Sequence, residues 1–343
     1  MYSTFHRGMT DEPDLFQFDR RNYRKSIRRA SQDVKEGYDQ TFTDVTSYVA
    51  TNADTRVIFC GMGGSGIAPK LLNAYLDRHI LTVQEYEFPF ELRGNDLVII
   101  STYSGNTEEV VSCYRKARRE NANVIVVSTG GRIAEGIERT RIPFIDLPRN
   151  MQPRAALYYT FFTFLSLLES LNLTGHHART VDDVRAYLQT HDLETYGRNL
   201  AENAFEKIPV IYTSTRYEPV AYRWRTQLNE NAKTLAIHNV LPEANHNELM
   251  GLRNIALDSH FYLLAMDEDH NRVRKRFSIT KKHVRKQDHT ASEIRFKGER
   301  LVKMFSAILL GDWVSYYLAL LYGSDPSDIS EIETFKEDLG KFI

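Results

Sequence analysis

Arg56-Val-Ile-Phe-Cys-Gly-Met-Gly-Gly-Ser-Gly66 is a short β-rich apolar run that ends in a glycine cluster, and Ile67–Leu76 follows it with helical spacing. The same order recurs twice downstream. Leu97–Ile100 (LVII) ends in Ser101-Thr-Tyr-Ser-Gly-Asn-Thr107 and leads into a helical pattern over Glu108–Glu120. Val124–Val127 (VIVV) ends in Ser128-Thr-Gly-Gly131. Strand, small-residue loop and helix, three times over, predict βαβ units and a parallel sheet buried on both faces. Pro153 then opens a long apolar helix over Arg154–Leu171, a residue type that first helical turns accept.

Further out the pattern restarts. Pro209–Tyr212 (PVIY) runs into Thr213-Ser-Thr215 and a helix near Pro219–Lys233; Phe261–Ala265 is another strand, and a helical pair is expected over 292–322. Residues 1–50 read as a charged helical arm, with Asn22–Tyr38 its clearest helix, and 174–206 as a polar linker with a helix or two. The expectation is an α/β fold of two tandem αβα sandwich domains with parallel sheets, at 51–175 and 176–343. The kinship of the halves is architectural, without a residue-level repeat.

Composition removes several functions. The 343 residues are 42% hydrophobic and 26% charged, ordinary globular values that argue against wholesale disorder. Forty-four Lys and Arg against 45 Asp and Glu leave a formal net charge of −1, so no global field draws the chain to nucleic acid or an anionic membrane. Residues 272–286 hold eight Lys or Arg and no acid, which reads first as a solvated helix face. Two cysteines, Cys60 and Cys113, cannot build a disulfide framework and suit a reducing cytoplasm. The first 21 residues lack the apolar core of a signal peptide. Leu301–Tyr322 is long enough to span a membrane, but Lys303 and a mid-segment Asp312 favour one or two buried helices.

Gly61, Gly63 and Gly66 fit G-x-G-x-x-G, with Glu85 and Glu87 about 20 residues on, which is a dinucleotide fingerprint on paper. The loop after the next strand discriminates. Adjacent parallel strands end side by side, so both loops can face one crevice. Gly63, Gly64 and Ser65 with Thr102, Ser104 and Thr107 then offer backbone donors and hydroxyls suited to one phosphate monoester. Ile67-Ala68 replaces the lysine of an NTP-cradling loop. The competing reading of the second loop is N-capping by Ser104 or Asn106. In Glu243-Ala-Asn-His-Asn-Glu248, two carboxylates and a histidine make only a weak metal pattern, without a second spaced His or Cys. No metal and no cofactor are expected.

GMGGSG at 61–66 followed by TYSGNT at 102–107 resembles the sugar isomerase (SIS) domain. With MQPRAAL at 151–157, LNENAK at 228–233, PEANHNEL at 242–249 and LLGDWVSYYLA at 309–319, the chain is similar to the bifunctional phosphoglucose/phosphomannose isomerase family over roughly residues 55–340. The resemblance implies an aldose–ketose isomerase acting on fructose, glucose and mannose 6-phosphates. It implies Glu230 as the base, Arg154 as the cation beside the enediolate, and His246 as a ring-opening group contributed across a homodimer. It further implies Lys336, with Lys341 as the alternative, as the lysine assisting ring opening. A small hydroxyl near that lysine goes with acceptance of both epimers, and Ser327, Ser330 and Thr334 are the available ones. The competing functions on the same fold are a non-catalytic sugar-phosphate sensor and a deglycase or amino-sugar isomerase.

Overall fold

The computed structural model describes residues 15–340 except 77, 138, 139, 255 and 256. The alternative Lys341 and the first 14 residues of the expected arm lie outside the described residues. The chain divides into two compact units: residues 28–191 with 298–305, and residues 15–27 with 192–297 and 306–340.

The order of elements is α1 (Tyr23–Arg28), α2 (Ala30–Tyr38), α3 (Thr43–Tyr48), β1 (Val57–Cys60), α4 (Gly63–Tyr75), β2 (Ile80–Val83), β3 (Leu97–Thr102), α5 (Glu108–Arg119), β4 (Asn123–Ser128), α6 (Gly131–Ile137), β5 (Phe144–Asp146), α7 (Leu157–Ser170) and α8 (Ala178–Thr190). There follow α9 (Leu193–Ala204), β6 (Ile208–Ser214), α10 (Glu218–Ala232), β7 (Ile237–Leu241), α11 (Ala244–Gly251), β8 (Ser259–Met266), α12 (Asn271–Lys286), β9 (Thr290–Phe296), α13 (Arg300–Leu321) and α14 (Ser330–Leu339).

The first unit is built on a parallel sheet of order β2-β1-β3-β4-β5. Every residue of β1 and β3 is buried, as a sheet covered on both faces requires. The side chains of Ile58, Val98, Val124 and Val126 pack with Val110, Cys113 and Ile133 into one core layer. On α7, which is largely buried, Phe161 and Phe162 pack edge-on and tilted against Phe305 at ring separations of 4.7 and 4.8 Å.

The second unit repeats the winding with a parallel sheet of order β7-β6-β8-β9. In each sheet the chain enters at an interior strand, adds one neighbour, then crosses over to build the other side. The ends of β1 and β3, and of β6 and β8, are therefore the switch points where α/β sheets open a crevice. The two parallel sheets bear out the expected α/β class.

One part of the expectation is corrected. Residues 292–322 are not a helical pair: Thr290–Phe296 is strand β9, and Arg300–Leu321 is a single helix. The buried positions of β9 are Ala291, Ile294 and Phe296, while Arg295 is exposed and pairs with the partly buried Glu293, as an edge strand permits. Helix α13 has the length and hydropathy of a membrane span, yet 94% of its most apolar window is buried inside the chain. Its mid-helix Asp312 meets Arg223 of α10 at 3.0 Å, both groups being almost fully buried. Trp224 Nε1 donates to the Ala307 carbonyl at 2.8 Å, and Asn231 Nδ2 to Ser315 Oγ at 3.0 Å. Three polar ties over about two helical turns thus fix α10 against α13.

Candidate active site

The first group of site residues gathers where β1, β3 and β4 end. Parallel pairing of Cys60 with Ile100 and of Ile100 with Val126 brings the three following loops side by side. Gly63 opens α4 with φ +50°, and Gly64 and Ser65 fill its first turn. A Cβ on Gly64 would lie 3.1 Å from the Pro153 carbonyl and 3.6 Å from the Arg154 Cα, so glycine is what lets these segments touch. Arg154 is thereby set against the 61–66 loop. It is buried, in the turn just before α7 rather than inside that helix.

The second loop is held from both sides. Thr102 and Thr107 share a hydrogen bond between their hydroxyls at 3.1 Å. Gly105 has φ +70°, and a Cβ there would sit 1.8 Å from the Gly130 carbonyl, so the 102–107 and 128–131 loops interlock only through glycine. Tyr103 is the post behind them. Its hydroxyl donates to the Pro148 carbonyl and accepts from the Met151 N–H, which ties the segment leading to Arg154 to the second loop. Its carbonyl takes both the N–H and the hydroxyl of Thr129, at 3.1 and 2.7 Å.

The helix starts are open. Met62 and Thr107 occupy the N-cap positions of α4 and α5, and neither gives a side-chain cap hydrogen bond. Ser104 Oγ accepts from the Asn106 N–H, and Asn106 Oδ1 from the Arg132 N–H, so neither side chain caps α5. Two helix N-termini therefore present first-turn donors that side chains leave for an anion. An exposed Ser104 and half-exposed Ser65 and Thr107 stand with them.

The second group belongs to the other unit. Glu230 lies half-buried in the last turn of α10, the helix that Arg223, Trp224 and Asn231 lock to α13. His246 is exposed on α11. Glu248, the rival carboxylate two residues on, is engaged: Tyr212 Oη donates to one of its oxygens and Asn239 Nδ2 to the other. Burial, followed by that bond to Glu248, pushes the Tyr212 phenol far above its ordinary value, so it stays the donor. Asn245 Nδ2 donates to Thr280 Oγ1 and Arg276 Nη1 to Asn245 Oδ1, which fastens α11 to α12. Glu248 thus anchors the helix that carries His246 rather than serving as a free base. Lys336 is exposed on α14. Of the three hydroxyls, Ser330 and Thr334 are exposed, while Ser327 is buried and its Oγ meets no hydrogen-bond partner among the described residues. Sequence reasoning passed over Tyr103 and Lys233, although both stand inside motifs it quoted.

The whole-chain fold is shared with the C-terminal domain of glucosamine-fructose-6-phosphate aminotransferase from Francisella tularensis, at a TM-score of 0.66 over 92% of this chain and 99% of that one, with 12% identity. That likeness shows a shared α/β fold. Residues 193–339 match the family described as the bacterial phospho-glucose isomerase C-terminal SIS domain. The bifunctional phosphoglucose/phosphomannose isomerase of Thermoplasma acidophilum is 34% identical over 313 residues, covering 90% of this chain and 96% of that protein. That of Aquifex aeolicus is 35% identical over 297 residues, covering 83% and 90%. The chain belongs to the bifunctional phosphoglucose/phosphomannose isomerase family, and is an enzyme of the aldose–ketose isomerase class.

Proposed function

We propose that the enzyme interconverts fructose 6-phosphate with glucose 6-phosphate and mannose 6-phosphate through an enediolate, as a homodimer in the reducing cytoplasm. The observation that carries the reading is the pair of open helix starts at 61–66 and 102–107 with Arg154 packed beside them. The backbone donors and the hydroxyls of Ser65, Thr102, Ser104 and Thr107 would take the phosphate monoester. The Arg154 guanidinium, charged at every working pH, would stabilise the enediolate oxygen.

Glu230 would remove a proton from C1 of the ketose, leaving the electron pair in the enediolate, and return a proton to C2 of the aldose. A carboxylate suits this, since it accepts at one carbon and delivers at the next. His246, from the neighbouring subunit, and Lys336 would open the ring. Apolar side chains exposed on the second unit, Leu235, Ile237 and Met250, support an assembly larger than one chain. Among the three hydroxyls, Ser327 is assigned to epimer acceptance, because a buried hydroxyl without a partner needs one.

Coupled assays that follow glucose and mannose 6-phosphate formed from fructose 6-phosphate test the reading. Both products are expected, with Ser327→Gln shifting their ratio toward glucose 6-phosphate. Failure to form either aldose contradicts the proposal. Mixing inactive His246→Ala and Glu230→Gln dimers should restore part of the activity, because a hybrid holds one intact site. No recovery despite demonstrated subunit exchange would put both groups in one subunit's site.

A further inference from the structure

Lys233 closes α10 in the left-handed region, with φ 53° and ψ 31°, where glycine is the unstrained choice. Its backbone N–H donates to the Leu228 carbonyl. Its ammonium reaches four carbonyl oxygens: Glu230 at 2.8 Å, Asn231 at 3.3 Å, Asp325 at 2.9 Å and Asp328 at 3.0 Å. The first two are terminal carbonyls of α10, where the helix dipole gathers negative charge. The other two belong to the connection between α13 and α14. That connection is folded on itself, with the Ser327 N–H donating to Asp325 Oδ1 at 2.8 Å and the Ser330 N–H to Asp328 Oδ1 at 3.1 Å. One cation therefore joins the helical turn that carries Glu230 to the root of the helix that carries Lys336, and Ser327 lies between the two clamped loop carbonyls.

We propose that Lys233 is a positioning residue of the isomerase site, its ammonium holding the last turn of the Glu230 helix and the 325–328 loop at one fixed spacing. The inference rests on the reading of Glu230 as the base and of the terminal helix as part of the site. A glycine would fit the backbone better and could not make this clamp. A purely structural end to α10 would need only the backbone bond to Leu228.

Two variants test it, each measured well below its unfolding temperature. Lys233→Met keeps the stem and removes the ammonium. Lys233→Gly also removes the ammonium but relieves the backbone, so lost stability and lost clamp come apart. Both are expected to lower kcat by about 10- to 100-fold, the size that a misplacement on the order of 1 Å produces, while KM for fructose 6-phosphate stays within about threefold. Lys233→Arg should recover part of the turnover. Hydrogen exchange at the amides of 325–332 should speed up in the Met and Gly variants and not in the interior of α10. Parental kcat in either variant, or unchanged exchange at 325–332, overturns the inference. Should Glu230→Gln keep parental turnover, the base assignment fails by itself, and the exchange measurement still decides whether Lys233 holds the loop.

Discussion

Two parallel sheets in this chain are wound alike, yet their switch points are furnished differently. At the ends of β1 and β3 stand Gly63, Gly64, Ser65 and the 102–107 loop; the missing side-chain cap at both following helices is shared by α10, so the difference lies in the residues around the starts. At the ends of β6 and β8 the chain enters α10 through Thr215-Arg-Tyr217, without a glycine. There Tyr217 is fully buried, and its hydroxyl donates to Glu268 of the loop after β8. A large side chain and its hydrogen bond occupy in the second sheet what small residues leave open in the first. In the second unit the candidate chemistry has moved to the far end of the helix, at Glu230. Winding alone does not make an anion site; the residues after the strands do.

Predictions follow from that contrast, in descending size. Glu230→Gln keeps the shape of the side chain and removes its ability to take a proton, so turnover should fall by about 10²–10⁴-fold in both aldose directions, read by coupled assay. Asp312→Ala leaves the buried Arg223 guanidinium without its carboxylate on the helix that carries Glu230. Such a break costs about 3–5 kcal/mol, measured by denaturant unfolding. At the first switch point, Ser104→Ala and Thr107→Ala should raise KM for all three sugar phosphates, at about 1–3 kcal/mol for each lost donor. At the second, Tyr217→Phe should leave KM near the parental value. Equal effects at both sheets would break the comparison.

Two pH effects have opposite signs in the two units. In the first, burial raises the Asp33 carboxyl to about 6 against the opposing pull of Arg29. Between its ordinary value near 4 and about 6 the folded state holds the proton and the unfolded state does not. Stability from this group therefore falls as pH rises through that window. In the second, burial lowers His260 to about 4, with the Lys207 charge contributing. Between about 4 and 6.5 the unfolded state binds the extra proton, so stability falls as pH drops. Unfolding temperatures of Asp33→Asn and His260→Gln across pH 4–8 check both slopes. Asp33→Asn should gain on the parent progressively from about pH 4 to about pH 6 and keep that gain above it, and His260→Gln should flatten the acid side.

What was legible in the sequence follows the same physics. The strands read from the apolar runs are β1, β3, β4, β6 and β8, all interior strands buried on both faces. The strands not read are β2, β5, β7 and β9, all edges. Edge strands are short or carry polar residues, such as His238-Asn239 in β7 and Glu293 and Arg295 in β9, so their pattern blends into helix or loop. The two candidate anion loops were visible because glycine and hydroxyl residues after an apolar run leave few alternatives. Tyr103 and Lys233 were not, because a tyrosine and a lysine inside polar motifs give no sign of which distant carbonyls they will reach. Asp312 was read as the reason to doubt a membrane span, and its pairing with Arg223 is the physical content of that doubt.

The central claim is that one carboxylate moves the proton between the two carbons. Isomerisation of fructose 6-phosphate in heavy water, with the aldose product examined by NMR, tests it most directly. The parent enzyme should place solvent deuterium at C2 of both glucose and mannose 6-phosphate, and Glu230→Gln should bind fructose 6-phosphate with little change while placing none. Deuterium entering C2 at the parental rate in Glu230→Gln would contradict the account.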